Sequence, residues 1–146
     1  MGRDPQIDEV AGALHASVRL LVQRIRQTQA VEGDLTSPET SALARLDRTG
    51  PTTAAEMARL ERISPQSMGA TVAALEERGL VHREPDPADG RRSILSLSAE
   101  GRALVQLRRS ARSELLSEAL ESAFTPAEIK QLRTAVPLIE RLAHNI

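Results

Sequence analysis

The 146-residue chain contains no cysteine, tryptophan or tyrosine, and Phe124 is its only phenylalanine. The absence of cysteine excludes disulfides, thiolate metal sites and thiol nucleophiles. The shortage of aromatic side chains argues against nucleic-acid binding by base stacking. No run of about 20 apolar residues occurs, so we expect no membrane span. The first residues lack the apolar stretch of a secretory signal, and we therefore expect a cytoplasmic protein.

Motifs of enzyme active sites are also missing. The three histidines, His15, His82 and His144, are scattered without metal-ligand spacing. No glycine-rich phosphate loop or nucleophile motif occurs. We therefore expect no enzyme activity, no metal and no cofactor. The net charge of −1 gives no overall indication of a nucleic-acid partner, so such a function must follow from local arrangement.

Apolar spacing and capping residues predict the helices. Apolar residues three and four positions apart predict a long first helix over 6–31, with Gly33 as its stop. Ser37 as N-cap and Pro38 at the first position predict a second helix that ends at Gly50.

Two short helices and a hairpin follow. Thr53–Glu56 reads as a capping box, and Ser64-Pro65 starts another helix that runs to about Arg78. Gly79 occupies a position typical of a left-handed C-terminal residue. Strands over 80–84 and 93–97 flank a polar turn and predict a β-hairpin.

Two further helices complete the chain. Ser98 caps a helix over 99–122, and Thr125–Glu128 is a second capping box that opens the last helix. This order predicts a mainly α fold: a winged helix-turn-helix with a small β-hairpin wing, plus long N- and C-terminal dimerisation helices. The predicted domains are 1–35 (N-terminal dimerisation helix), 36–97 (winged helix-turn-helix) and 98–146 (C-terminal dimerisation helices).

The long helices carry more apolar surface than the winged unit can cover. Their stripes over 6–31, 99–122 and 129–142 need one another and a second copy, which predicts a two-fold homodimer. Arg108, Arg109 and Arg112 are expected to face solvent or carboxylates of the partner.

The helix that starts after Ser64 has an unusual outer face. A helical wheel places Met68, Val72 and Leu75 on one side, whereas the other side is built from Gln, Ser, Gly and Ala. A solvated face normally prefers long charged side chains. A small uncharged face favours close approach to a DNA major groove, where Gln pairs with adenine, or packing against another protein. The predicted DNA contacts are Ser64, Pro65, Gln66, Ser67, Gly69 and Ala70.

The hairpin tip is rich in arginine. Arg83, Arg91 and Arg92 lie close to Asp86 and Asp89. One interpretation places an arginine in a narrow minor groove and the others on phosphates, with the aspartates orienting the guanidiniums. The other is a solvated loop with mutual ion pairs. After a recognition-type helix, the first interpretation is favoured.

Residues 80–102 resemble the signature of the MarR family. Leu80-Val81 matches its strand entry, Asp86 to Arg91 its Asp-x-x-Asp-x-Arg wing, which Arg92 follows, and Leu97 to Gly101 its helix start. The resemblance implies a homodimeric winged-helix transcriptional regulator with Gln66 and Ser67 in the major groove and Arg91 in the minor groove. It also implies that Asp86 and Asp89 organise the wing. The chain departs from the family at Gly69-Ala70, where a Thr-Arg pair is frequent.

Together these patterns predict a sequence-specific DNA-binding regulator, a repressor, that binds double-stranded DNA as a homodimer on a pseudo-palindromic site. The alternative is a winged-helix protein–protein module without DNA binding, favoured by the six arginines and seven acidic residues of 51–97. The resemblance further implies release by a small-molecule effector bound between the long helices and the winged unit. His15, Arg19 and Arg45 are the candidate ligand residues.

Overall fold

The computed structural model describes Gly2, residues 4–29 and residues 35–146. Within this part of the chain, helices surround a single two-stranded antiparallel hairpin. The elements are α1 (Pro5–Gln29), α2 (Ser37–Thr49), α3 (Ala54–Glu61), α4 (Pro65–Glu77), β1 (Val81–Pro85), β2 (Ser93–Leu97), α5 (Ala99–Ala123) and α6 (Pro126–Ala143). The first helix is thus described to Gln29, and the predicted stop at Gly33 lies outside the described residues.

Hydroxyl side chains begin every helix from α2 onward. Ser64, Ser98 and Thr125 are N-caps, as predicted, and each accepts a hydrogen bond from the backbone N–H three residues later. The prediction of Ser37 as the N-cap of α2 was wrong. Thr36 takes that position and accepts from the N–H of Glu39 at 3.3 Å, which makes Ser37 the first helical residue.

The two predicted capping boxes differ. The box of Thr125 and Glu128 is complete in both directions. Thr53 accepts from the N–H of Glu56 at 3.2 Å, but the carboxylate of Glu56 pairs with Arg59. The hydrogen bond donated by Arg59 lowers the pKa of Glu56 below its usual value. The Glu56 carboxylate is therefore engaged in an ion pair within α3 and does not close the capping box.

The hairpin forms the predicted wing. Its register pairs Val81 with Leu97 and Pro85 with Ser93, so β1 begins one residue later than predicted. Thr52, between α2 and α3, exchanges two backbone hydrogen bonds with Leu95 at 3.0 and 2.7 Å. This bridge connects β2 to the segment between α2 and α3. At Leu95, β2 is therefore hydrogen-bonded to Thr52 on one edge and paired with β1 on the other.

The hydrophobic core lies within the winged unit. Its largest fully buried side chains come from α2, α3, α4 and β2, and Val105 of α5 packs against them. The mainly α winged helix-turn-helix fold is therefore confirmed, whereas the domain boundaries at 35/36 and 97/98 stay predictions. The largest fully buried apolar side chains are Leu43, Met57, Met68, Val72, Leu75 and Leu95.

The outer helices leave apolar side chains in solvent. No residue of α6 is buried, and no described side chain of α1 is buried either. Val10 of α1 is 59% exposed and Val136 of α6 is 51% exposed. Monomeric proteins rarely present apolar stripes of this length to water.

The arginines of α5 pack against α2 of their own chain. The Arg109 guanidinium lies 2.5 Å from the carboxylate of Asp47, and Arg108 donates to the Thr40 hydroxyl at 3.3 Å. Arg108 and Arg112 are half-buried. These two side chains line the space between α5 and α2 and do not face open solvent. Arg109 is exposed, as predicted, and its carboxylate partner is Asp47 of its own chain. Contact of these arginines with carboxylates of a partner stays a prediction.

Candidate nucleic-acid interface

The N-terminus of α4 is built by a three-residue turn. Arg62 adopts a left-handed conformation with φ of 55°, which reverses the chain after α3. Ser64 then accepts from the N–H of Ser67 at 3.1 Å and donates its own hydroxyl hydrogen to the Ser67 oxygen at 2.9 Å. Pro65 supplies the first helical residue.

The outer face of α4 is open. Met68, Val72 and Leu75 are buried, whereas Gln66 and Ser67 are exposed. A Cβ atom added to Gly69 would meet nothing within 4 Å in the structure. The predicted contact residues Ser64, Pro65, Gln66, Ser67 and Ala70 are all exposed, and Gly69 is half-buried.

Two aspartates fix the tip of the wing. Asp86 accepts from the N–H of Ala88 at 2.9 Å, and Asp89 accepts from the N–H of Arg91 at 3.1 Å. Their remaining oxygens face the Arg92 guanidinium at 3.1 and 3.9 Å. The loop between β1 and β2 is therefore held by its own side chains, in agreement with an organising role for both aspartates.

The three wing arginines differ in their partners. Arg83 donates from Nε and Nη2 to the same carboxylate oxygen of Glu76 on α4, at 2.9 and 2.6 Å. Arg92 is paired with the aspartates, as above. The exposed side chain of Arg91 makes no hydrogen bond or ion pair with any described residue. Arg91 therefore projects a full positive charge from the tip.

A second feature lies between the winged unit and the outer helices. A cavity of about 520 Å³ is lined by α1, α2, α5 and the last residue of α3. Arg45 belongs to this lining and pairs with Glu61 at 2.6 Å. His15 and Arg19, the other two candidate ligand residues, are exposed on α1 and lie outside the lining.

Four further arginines line this cavity and were missed from the sequence. Arg108 and Arg112 are four residues apart on α5, and Arg45 and Arg48 are three apart on α2, so each pair shares a helix face. Arg26 of α1 completes the set. The spacing shows which arginines lie together, but only the packing of the helices shows that both faces meet at one cavity.

Neither metal binding nor membrane insertion is indicated by the described residues. Among them, no three His, Asp or Glu side chains are grouped so as to hold a metal ion. No helix in the same part of the chain has the length and apolar character needed to cross a bilayer.

Comparison with known proteins identifies the family to which the chain belongs. The MarR family matches over residues 35–93, which span the helix-turn-helix and most of the wing. An uncharacterised HTH-type transcriptional regulator of Mycobacterium leprae is 36% identical over 111 residues, 76% of this chain and 77% of that protein. The chain belongs to the MarR family. The resemblance inferred from the wing is thereby confirmed, and membership assigns the chain to DNA-binding transcriptional regulation.

Solved structures share the fold over nearly the whole chain. A Pseudomonas aeruginosa protein described as a transcriptional regulator has a TM-score of 0.87 and 30% identity, covering 97% of this chain and 98% of that one. A point mutant of the Staphylococcus aureus protein MepR, bound to an oligodeoxyribonucleotide, has a TM-score of 0.68 and 20% identity over 94% and 98% of the two chains. At that identity, the second comparison shows the shared fold alone.

Proposed function

We propose that this MarR-family chain reads a specific, pseudo-palindromic DNA site as a homodimer and represses transcription there. The observation that carries the proposal is the open, uncharged face of α4 beside a fixed wing that projects Arg91. A helix with small side chains on its outer face can lie deep in a major groove. An arginine on an adjacent hairpin reaches the neighbouring minor groove, where narrow A·T segments attract positive charge.

The proposed contacts divide by role. Gln66 reads a base edge, Ser67 donates to a phosphate or base, and Gly69 with Ala70 allows close approach of the backbone. Arg91 enters the minor groove. Ser64 and Pro65 set the start of α4. Arg83 and Arg92 lie at the wing base and tip, where their guanidiniums add positive potential toward phosphates although each is paired with a carboxylate.

The homodimer is supported by the uncovered apolar faces of α1 and α6. Ile7 and Val10 on α1, and Leu138 and Leu142 on α6, are each about half exposed. A second copy would cover both stripes and place two α4 helices about one DNA turn, roughly 34 Å, apart. A dimer seated on a promoter excludes other proteins from that DNA, which is the basis for proposing repression.

The cavity between the winged unit and the outer helices supports regulation by a small molecule. Its volume of about 520 Å³ falls within the range of ligand pockets. We propose that an effector bound there releases the protein from DNA by favouring a different spacing of the two α4 helices. Such an effector acts only through its different affinity for the two arrangements.

Salt dependence of binding tests the proposal. We expect fluorescence anisotropy with DNA from upstream of the protein's own gene to give two chains per duplex. The logarithm of affinity should fall with the logarithm of salt with a slope near −5, as about six phosphates are neutralised per dimer. Absent binding, or binding without salt dependence, would contradict the proposal and favour the protein–protein module.

Replacing Gln66 with alanine tests the assignment of base readout. We expect the preference at one base pair of each half-site to relax by about 1–3 kcal/mol, because a bidentate amide contact is lost. Affinities for duplexes with each base pair substituted in turn measure this effect. Gln106→Ala, the same change on exposed α5, should leave the whole preference profile unchanged. An unaltered profile in Gln66→Ala would remove Gln66 from its assigned role.

A further inference from the structure

Glu76 lies in the last turn of α4, where an acidic side chain is unfavourable for two reasons. The carboxyl end of a helix is the negative end of its dipole, and α4 has no basic residue in its last turn. The phosphates of a DNA duplex beside α4 would also repel the carboxylate. Neither the stability of α4 nor attraction to DNA therefore accounts for an acid at this position.

An ion pair with the wing does account for it. Oε1 of Glu76 accepts hydrogen bonds from both Nε and Nη2 of Arg83 on β1, at 2.9 and 2.6 Å. The Arg83 and Glu76 side chains are 42% and 32% exposed, so their pair adds little to the free energy of unfolding. Two hydrogen bonds from one planar guanidinium nevertheless fix the direction of Arg83 relative to α4.

Arg83 lies where the wing leaves the body of the winged unit. It pairs with Leu95 of β2, and Leu95 is buried and exchanges backbone hydrogen bonds with Thr52. Among the described residues, the hydrogen bonds of 84–94, beyond this level, stay within the hairpin. At the level of Arg83 the hairpin is therefore held to α4 through Glu76 and to the segment between α2 and α3 through Thr52.

The position of Arg91 depends on this support. The tip that carries Arg91 is closed by hydrogen bonds to Asp86 and Asp89, so it moves with the hairpin as one unit. A rotation of the hairpin about its base would displace the tip more than the base, because the tip is farther from the axis. The direction that Glu76 gives to the hairpin thus sets the distance between Arg91 and the outer face of α4.

We propose that Glu76 is a positioning residue: through Arg83 it fixes the wing relative to α4, and so sets the spacing of major-groove and minor-groove sequence that the protein accepts. The effect on DNA rests on the proposed function, whereas the fixed wing does not. A wing already held in its binding position lowers the ordering cost of association. If Arg83 instead contacted a phosphate, Glu76 would only compete for its guanidinium, and removing the carboxylate would strengthen DNA binding.

Spin labels test the fixed wing without DNA. The chain contains no cysteine, so Ala73→Cys on α4 and Gly90→Cys at the wing tip provide the only two labelling sites, and both are exposed. Producing this chain together with an excess of the unaltered chain lets double electron–electron resonance measure distances within one chain. We expect one narrow distance distribution, which becomes roughly twice as wide in Glu76→Gln and stays unchanged in Glu77→Gln.

DNA binding by the same two variants tests the role in reading. Both remove one negative charge from the end of α4, so an electrostatic effect alone would strengthen binding equally. We expect Glu76→Gln to bind the preferred duplex about tenfold more weakly than the unaltered protein, because its wing must be ordered on binding. Glu77 is exposed and has no hydrogen-bond or ion-pair partner in the described part of the chain, so Glu77→Gln should bind at least as tightly as the unaltered protein.

A double-mutant cycle tests whether Glu76 acts through Arg91. Arg91→Ala should weaken binding by about 100-fold in the unaltered protein but by only about tenfold in Glu76→Gln, because a loosely held wing no longer delivers the guanidinium to one place. The preference for A·T pairs beneath the wing should fall in the same way. Equal losses on Arg91→Ala in the two backgrounds would show that Glu76 does not act through the wing.

The outcomes separate this inference from the proposed function. Equal distance distributions in Glu76→Gln and Glu77→Gln would overturn the fixed wing, whatever happens on DNA. Tighter DNA binding by Glu76→Gln would overturn the positioning role and assign Arg83 to a phosphate. If Glu76→Gln alone broadens the distribution but the unaltered protein binds no duplex, the wing is positioned as inferred and the proposed function fails.

Discussion

Replacing Arg91 with alanine is expected to weaken DNA binding by about 100-fold or more while the fold and dimer remain intact. Arg91 is the exposed wing arginine whose guanidinium makes no hydrogen bond or ion pair with the described residues, so its removal breaks no polar interaction among them. A hydrogen bond to a charged group is worth about 1.5–3 kcal/mol, and a symmetric dimer loses it twice. The combined loss is therefore roughly 3–6 kcal/mol.

Anisotropy titration on one duplex measures this loss, and circular dichroism with sedimentation velocity checks fold and assembly. Arg141→Ala is the matched control, because Arg141 is an exposed arginine on the polar side of α6. We expect that control to bind DNA as the unaltered protein does. Equal affinity in Arg91→Ala and Arg141→Ala would show that the wing tip does not enter the DNA interface.

Replacing Gly101 with alanine is expected to destabilise the fold by about 3 kcal/mol, the upper part of the range for overpacking. A Cβ atom at this position would lie 2.0 Å from the backbone oxygen of Leu80. That oxygen already accepts from the N–H of Ser98 at 3.1 Å, and the Ser98 hydroxyl donates to Gly79 at 2.6 Å. No side-chain rotation can relieve a clash with backbone, so α5 must move away from Leu80.

Thermal or urea unfolding followed by circular dichroism measures the change, and a loss of this size lowers the melting temperature by roughly 10 °C. Gly69→Ala is the same substitution in an open helical position. It should stabilise the chain by about 0.5–1 kcal/mol, because alanine favours the helix over glycine. If both variants unfold at the same temperature, the close approach of α5 to Leu80 is not a constraint on the fold.

Features set by neighbouring residues could be predicted from the sequence. The caps at Ser64 and Ser98 depend on a hydroxyl that reaches an amide three residues later, and the buried side of α4 follows from helical periodicity. The organising role of Asp86 follows from its place in a polar turn beside arginine. The error at Ser37 has the same local origin, because two successive hydroxyl residues could each cap α2 and only the backbone conformation distinguishes Thr36.

Features that depend on distant packing could not be predicted. Arg109 meets Asp47 across 62 residues of chain, and Arg45 meets Glu61 only because α2 and α3 cross at a particular angle. The cavity requires α1, α2 and α5 together, so four of its five arginines, all except Arg45, could not be assigned to it from the sequence. The DNA contacts assigned to the side chains of α4 and the wing also remain predictions. Each contact depends on a DNA duplex, which is not part of the chain.

The core of the winged unit is continuous in sequence, from Ala42 to Val105, whereas the two helices with uncovered apolar faces lie on either side of it. During synthesis, α1 leaves the ribosome before the winged unit and α6 leaves it afterwards. The winged unit can therefore close its interior while α6 is still being made, because the contacts it needs are already present. In the proposed homodimer, which would use both flanking helices, subunit assembly would therefore have to wait until α6 has emerged.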